Sequence, residues 1–301
     1  MIRFEKISIS NFHHYEFLFK EVFGNNQDNK RIDFNRKSHL NSKSNANLGF
    51  IAFQEDQPVG ALGAYPILSR GEKIAQIGDA MIHKSHRKIG LFDTLIKKTI
   101  ENCKQNEVAI IFTFPSNQNQ GSYKGFINNG FLEMGALNSY DIKIKPSLYS
   151  RILRKINIKK HHQSVLNNCK ERTSTTYPNS MEDSLIMRDS SYKEIKSYTP
   201  NFRIETRNSF IWVSVTEFEI WIGDFTLKPA IKAMDFIGEL KNLSRYLGKD
   251  TIRFITNCNY EEIILKKAGL RPTHDQIKIM IFELNQRSRD YNFNFVDLDT
   301  F

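Results

Sequence analysis

The sequence predicts an α/β (α+β) protein of two similar domains, each a mixed, mostly antiparallel sheet flanked by helices. Three observations carry this. Short apolar strands follow one another with tight turns between them over residues 49–83, the pattern of an antiparallel meander. An amphipathic helix and an almost fully apolar strand come next, as a crossover and an interior strand would. The same succession then returns in the second half of the chain. A length of 301 residues leaves room for two cores of roughly 150 residues each. The expected divisions are a first domain over 1–145, a basic helical bridge and linker over 146–184, and a second domain over 185–301.

In the first domain, Ile2–Ile9 reads as a strand. Asn11–Phe23 carries Phe12, Tyr15, Phe19, Val22 and Phe23 at 3–4 spacing, a helix with one apolar face that Leu18 widens. Residues 25–47 are polar and irregular and read as a surface loop with a helical piece. Gly49–Gln54, Val59–Leu68 and Ile74–His83 are strands, joined by turns at Glu55–Pro58 and Ser69–Glu72. A helix over about 90–103 buries Leu91, Leu95, Ile96, Thr99 and Ile100. Val108–Phe114 is an interior strand that ends at Pro115, which has no N–H for a ladder. A polar stretch, Ser116–Gly121, leads into a short helix ending at Gly130-Phe131, and a last strand runs to about Ile144.

The second half repeats this order. Ile222-Gly223-Asp224 answers Ile77-Gly78-Asp79, and Ala268-Gly269-Leu270 answers Asn129-Gly130-Phe131. Between them lie a helix over about Ala230–Leu247, the strand Thr251–Thr256 and a helix over Tyr260–Ala268, with the strand Ile277–Leu284 after. A diverged internal repeat is the preferred reading; the rival is a second domain of unrelated fold. Joining the halves, Lys143–Arg172 is dense in Lys and Arg and carries a stripe of Leu148, Tyr149, Ile152, Leu153 and Ile156. Such a helix either lies on a membrane or nucleic acid or packs its apolar face on a domain and leaves its charges, with His161 and His162, in water. Glu171–Ser184, rich in Ser and Thr, is the linker candidate.

The composition, 40% hydrophobic and 25% charged, is that of a soluble globular protein. A net charge of +10 either favours anionic partners or merely keeps a basic surface soluble. Three cysteines, Cys103, Cys169 and Cys258, stand far apart with no C-x-x-C, and the eight histidines form no H-E-x-x-H. Reduced thiols in a cytoplasmic protein without a metal are the expectation. The start, Met1–Lys6, lacks the apolar region of a secretion signal. No apolar run approaches the roughly 20 residues that span a bilayer.

The most informative segment is Arg87-Lys88-Ile89-Gly90-Leu91-Phe92, at the junction of a strand and a helix. Glycine lets the backbone turn there. The first N–H groups of the helix are then without intrahelical partners, and with the helix dipole they attract phosphate. Arg87 and Lys88 add positive charge, so the segment reads as a seat for a di- or polyphosphate. The second half lacks it: the corresponding stretch is Lys228-Pro229-Ala230-Ile231-Lys232, with no glycine. The second domain is therefore expected to bind no cofactor and to help shape an acceptor cleft.

This strand-turn-helix resembles motif A of the GNAT acyltransferases, Q/R-x-x-G-x-G/A. Arg87 matches its first position and Gly90 its fourth; Phe92 departs from the sixth. With the order of elements, the resemblance covers about residues 1–145, and the two domains are read as GNAT-like. It implies an acyl-CoA site, with acetyl-CoA as co-substrate, at Met81, Ile82, His83, Arg87, Lys88, Ile89, Gly90, Leu91, Phe92, Asn119 and Phe126. A backbone donor for the oxyanion is implied near Met81–His83. Asn119, Gly130 and Phe131 match a second family pattern; Ser122 replaces its alanine, and Phe126 stands where the family has the tyrosine that protonates the leaving thiolate. Tyr123, on nearly the same helix face, either serves as that acid or is a packing aromatic. Phe114-Pro115-Ser116-Asn117, with Gly125-Phe126 and Gly130-Phe131, is also similar to a bacterial GNAT subset associated with surface polysaccharide or amino-sugar pathways.

The implied function is acyl transfer to a small-molecule primary amine, with a nucleotide-linked amino sugar as first guess. Asp79, alone in an apolar strand, is either the base that takes the amine's proton or a structural residue that caps a loop or pairs with a lysine. His83 is the second candidate base or a solvent-facing strand residue. The acidic end Asp297-Leu298-Asp299-Thr300-Phe301 either closes over the cleft or frays. Three rival functions stand: an aminoacyl-tRNA-dependent transferase built from two GNAT-like halves, a nucleic-acid-binding protein using the basic bridge, and an acyl-CoA sensor. The intact Arg87/Gly90 turn disfavours the tRNA reading, and nucleic acid is the disfavoured partner.

Overall fold

The computed structural model describes residues 1–24, 47–115, 120–145, 185–186, 192, 201–216, 218–284, 292–293 and 297–298. Asn119, the expected bridge from residue 146 on, the linker, His161, His162 and Cys169 lie outside the described residues. The chain forms two compact units, Met1–Ala136 with Ile277–Arg289, and Leu137–Gln276 with Asp290–Phe301.

In the first unit, strands β1 (Ile2–Lys6), β2 (Phe50–Gln54), β3 (Gln57–Ser69) and β4 (Glu72–Ile82) pair antiparallel in that order. β5 (Ile110–Thr113) lies parallel to β4, and β11 (Gln276–Glu283) runs antiparallel to β5. The first strand stops at Lys6 rather than Ile9, because the chain turns there to start helix α1 (Phe12–Phe23). β3 includes Pro58, which sequence reading assigned to a turn; the turn is Glu55-Asp56, with Glu55 at φ 56°. Helix α1 covers one face of the sheet, where Phe12, Tyr15 and Leu18 pack with Ile51, Phe53, Ala61 and Met81. Helices α2 (Leu91–Gln105) and α3 (Gln120–Asn128) serve the second core, where Leu91, Leu95, Ile96, Cys103 and Phe126 pack with Leu62, Ala64, Ile77 and Met280. β3 is therefore buried from Pro58 through Ile67 on both faces, which its run of small and apolar residues allows.

The second unit has the same plan. β7 (Asn201–Glu205), β8 (Ser209–Val215) and β9 (Glu219–Leu227) form a meander. Helix α4 (Ala233–Tyr246) crosses over to β10 (Thr251–Thr256), parallel to β9, and helix α5 (Asn259–Lys267) follows. The final position, antiparallel to β10, is taken by β6 (Leu132–Lys143) through residues Asn138–Lys143. The internal repeat is thus present in the strand order. The last strand in sequence of each half pairs in the other half's unit, so the compact units are not contiguous stretches such as 1–145 and 185–301. Helix α4 starts at Ala233, not Ala230: Ala230 sits at φ 65°, incompatible with a helix, and Lys232 is the N-cap.

Candidate active site

The site begins where β4 and β5 part. Their parallel pairing ends at Ile77↔Thr113, while β4 continues to Ile82 along β3. A bulge falls in this continuation. Gly78 faces Gly63 and Met81 faces Ala61, and Asp79 adopts φ 49°, a left-handed conformation rare for a non-glycine residue. Beyond the bulge, the His83 N–H donates to the Val59 carbonyl at 2.9 Å and is spent on β3. The Ile82 carbonyl instead accepts the Arg87 Nε–H at 3.2 Å. In an antiparallel ladder one residue's N–H and C=O share an edge, so the Ile82 amide lies on the edge away from β3.

The chain then makes one 3-10 turn at Lys84–His86 and runs through exposed Arg87–Gly90 into α2. Lys88 (φ 68°) and Gly90 (φ 79°) are both left-handed, which turns the backbone sharply enough to start the helix at Leu91. No side chain caps that helix. Its start borders a cavity of about 800 Å³. Of the residues expected from sequence, Ile82, Arg87, Lys88, Gly90, Leu91 and Phe92 line this cavity. Sequence reading missed Val22 and Phe23 from the end of α1, and His86, Asp93, Lys124 and Asn128. Their only sequence signal is proximity to the motif or to helix ends.

Phe92 and Gly125 fit each other. A Cβ built on Gly125 would lie 2.5 Å from Phe92 Cε1. The bulky residue at the small-residue position of motif A is thus accommodated by a glycine on α3, and Phe92 stacks edge-on against Phe126 at 5.4 Å. Phe126 is 1% exposed and is a core residue, not a cavity wall. Met81 is fully buried on the α1 face, and Ile89 is 59% exposed; neither lines the cavity.

Tyr123 does not line it either. Its hydroxyl donates to Glu133 Oε2 at 2.7 Å, and Lys278 Nζ donates to Glu133 Oε1 at 2.5 Å. The hydrogen bond to Glu133 holds the Tyr123 phenol above its ordinary pKa, while Lys278 and then Tyr123 hold Glu133 below its own. His83 Nδ1 meets Ser85 Oγ at 2.6 Å, Ser85 Oγ meets His86 Nδ1 at 2.8 Å, and His86 Nε2 contacts Gln54. Asp79 Oδ2 accepts the hydroxyls of Tyr15 and Tyr65, each at 2.8 Å.

The second unit treats its equivalent edge differently. Parallel pairing of β9 with β10 ends at Ile222↔Phe254, again followed by an irregularity, between Trp212 and Val213 of β8. The Phe225 N–H then donates to Glu261 Oε1 at 3.3 Å and the Leu227 N–H to the Tyr260 hydroxyl at 3.1 Å. Both acceptors come from the first turn of α5, and Glu261 is 2% exposed. Lys228 is bound to Glu205 at 2.8 Å and to the Thr206 carbonyl at 2.7 Å. Asp297 of the acidic end is fully buried within this unit and accepts the Tyr192 hydroxyl at 3.3 Å. Among the described residues no helix is long and apolar enough to cross a membrane.

Residues 3–126 match the family model for the acetyltransferase (GNAT) domain. Over these residues the chain carries a GNAT acetyltransferase domain. No curated protein matches the sequence significantly. The fold likeness extends over the second unit. A tandem GNAT protein from the clavulanic acid biosynthesis pathway aligns with 96% of this chain and 100% of its own (TM-score 0.59, 10% identity). A candidate acetyltransferase from Pyrococcus horikoshii aligns with 97% of this chain and 92% of its own (TM-score 0.58, 13% identity). A GCN5-related glucosamine N-acetyltransferase region of a fungal multi-domain β-N-acetylglucosaminidase aligns with 94% of this chain and 38% of its own (TM-score 0.60, 11% identity). At these identities the likeness is one of fold: two GNAT-like domains in tandem.

Proposed function

We propose that the chain transfers an acetyl group from acetyl-CoA to a primary amine, with the CoA pyrophosphate held at the start of α2 in the first unit alone. The loop Arg87–Gly90 carries the reading: two left-handed residues, Lys88 and Gly90, deliver an uncapped helix start to a cavity that also presents Arg87, Lys88 and Lys124. Uncapped N–H groups and fixed cations together favour a bound phosphate. Gly90 has nothing within 4 Å of where a Cβ would stand, so a phosphate oxygen has room to approach.

In the transfer, the amine nitrogen attacks the thioester carbon, a C–N bond forms and negative charge builds on the carbonyl oxygen. The Ile82 amide, on the open edge of β4, is our oxyanion donor; the His83 amide is excluded because Val59 holds it. Collapse of the intermediate breaks the C–S bond and releases CoA thiolate. The proton from the ammonium goes to a base, for which Asp79 is the first candidate and His83 the second. Tyr123, committed to Glu133 and absent from the cavity wall, is not assigned as the acid. An amino sugar is the acceptor class we favour, on the resemblance of 114–131 to the amino-sugar subset.

The test is thermal unfolding with and without acetyl-CoA. At about 100 times its dissociation constant the ligand should add roughly 2.7 kcal/mol to the first unit, a rise of several degrees. An unmoved transition, together with no thiol release in a screen of amine acceptors, would overturn the proposal.

A further inference from the structure

On the α1 face of β4, three polar side chains from three elements converge. Tyr15 of α1 is 0% exposed and Tyr65 of β3 is 3% exposed. Both hydroxyls reach the same oxygen, Asp79 Oδ2, at 2.8 Å each, and stand 3.0 Å from one another. Two phenol protons thus serve three close oxygens. When either phenol donates to the other, it gives up the carboxylate, so the cluster has more than one arrangement of its protons. The backbone makes room for it: a Cβ on Gly63 would lie 2.4 Å from the Tyr65 hydroxyl and 3.1 Å from that of Tyr15. Asp79 itself is held left-handed at the bulge, at φ 49°. Such strain gathers where a site needs a side chain aimed in one direction.

The repeat supplies a control. In the first unit Gln76, three residues before Asp79, faces Tyr65; in the second, Trp221, three before Asp224, faces Ser214. The register is equivalent, and Ser214 stands in the second unit where the first has Tyr65.

We infer that Tyr15 and Tyr65 are positioning residues that aim Asp79 at the acceptor amine, on the sheet face opposite α2. This rests on the acyltransferase reading and adds to it the side of β4 from which the amine is served. Ala80 and Ile82, at the alternate positions of β4, line the cofactor cavity, which also reaches Val22 and Phe23 at the end of α1. The alternation of side chains across a strand separates the two sets.

The experiment is a double-mutant cycle on the full chain, with acetyl-CoA and each of three amines: glucosamine, spermidine and a short peptide with a free N-terminus. Thiol release gives kcat and KM, and calorimetry gives the acetyl-CoA Kd. Asp79→Asn should lower kcat about tenfold or more. Tyr15→Phe and Tyr65→Phe should each lower kcat several-fold, leaving the acetyl-CoA KM and Kd unchanged. In the Asp79→Asn background the same two changes should cost no further kcat. Gly63→Ala, which pushes a methyl into Tyr65, should reproduce the Tyr65→Phe loss. Tyrosine variants that melt lower but turn over normally, or losses that add to that of Asp79→Asn, would overturn the inference and leave the acyltransferase reading standing. A chain that binds acetyl-CoA but acylates none of the three amines would overturn both.

Discussion

Two strand edges, one in each unit, differ in what meets them. In the first unit β4 runs on past its last pairing with β5, and its outer edge borders a cavity with cations and an uncapped helix start. In the second, β9 runs on past its last pairing with β10, and its amides find Glu261 and Tyr260 of α5. The backbone plan is the same; the occupant is a side chain in one case and open space in the other. A buried N–H must have a partner, and the second unit satisfies its edge with its own side chains. The difference between the two edges comes from two side chains in the first turn of α5, with no change in strand order.

The largest test of that contrast is at the helix starts. Gly90→Val places a β-branched residue at φ 79°, a conformation it resists. It should remove the roughly 2.7 kcal/mol of acetyl-CoA stabilisation, whereas Lys232→Ala at the start of α4 should leave it intact. Next comes the plug. Glu261→Ala orphans the Phe225 amide and should destabilise the second unit by about 1–3 kcal/mol, with the acetyl-CoA shift unaltered in thermal melts.

A comparable effect is expected where Phe92 meets α3. Gly125→Ala drives a methyl into the ring and should cost about 1–3 kcal/mol. Phe92→Ala in the same chain should recover part of it, measured by urea unfolding. If Gly125→Ala is neutral, Phe92 adjusts and the pairing is incidental. The smallest effect is that of the buried thiols. Burial pushes Cys103 up to about 12 and Cys258 up to about 11. An unfolded thiol titrates near 8.5, so each group's contribution is complete below that pH and declines as pH rises toward the folded value. By pH 9 the loss is about 0.8 kcal/mol per thiol. Urea melts at pH 7 and 9, with Cys103→Ala and Cys258→Ala, would compare the two units.

Much of this was legible in the residues. Gly90 marked the turn into α2, because glycine takes the left-handed conformation found there. The Gly-Asp pairs after Ile77 and Ile222 marked the repeat, and both fall at or beside a strand irregularity. The strand exchange was not legible: the apolar pattern of β6 or β11 states that each is a strand and says nothing of its partner. Tyr15 and Tyr65 read as core aromatics, since a helical stripe and an apolar strand bury their rings in any case. Their hydroxyls become informative only when Asp79 is seen between them. Phe92 read as a fault in motif A until Gly125 was found beneath it.

The most direct measurement is an isothermal titration of the intact chain with acetyl-CoA. The account predicts one molecule bound per chain, and none after Gly90→Val. Two molecules per chain, or one that survives Gly90→Val, would contradict it.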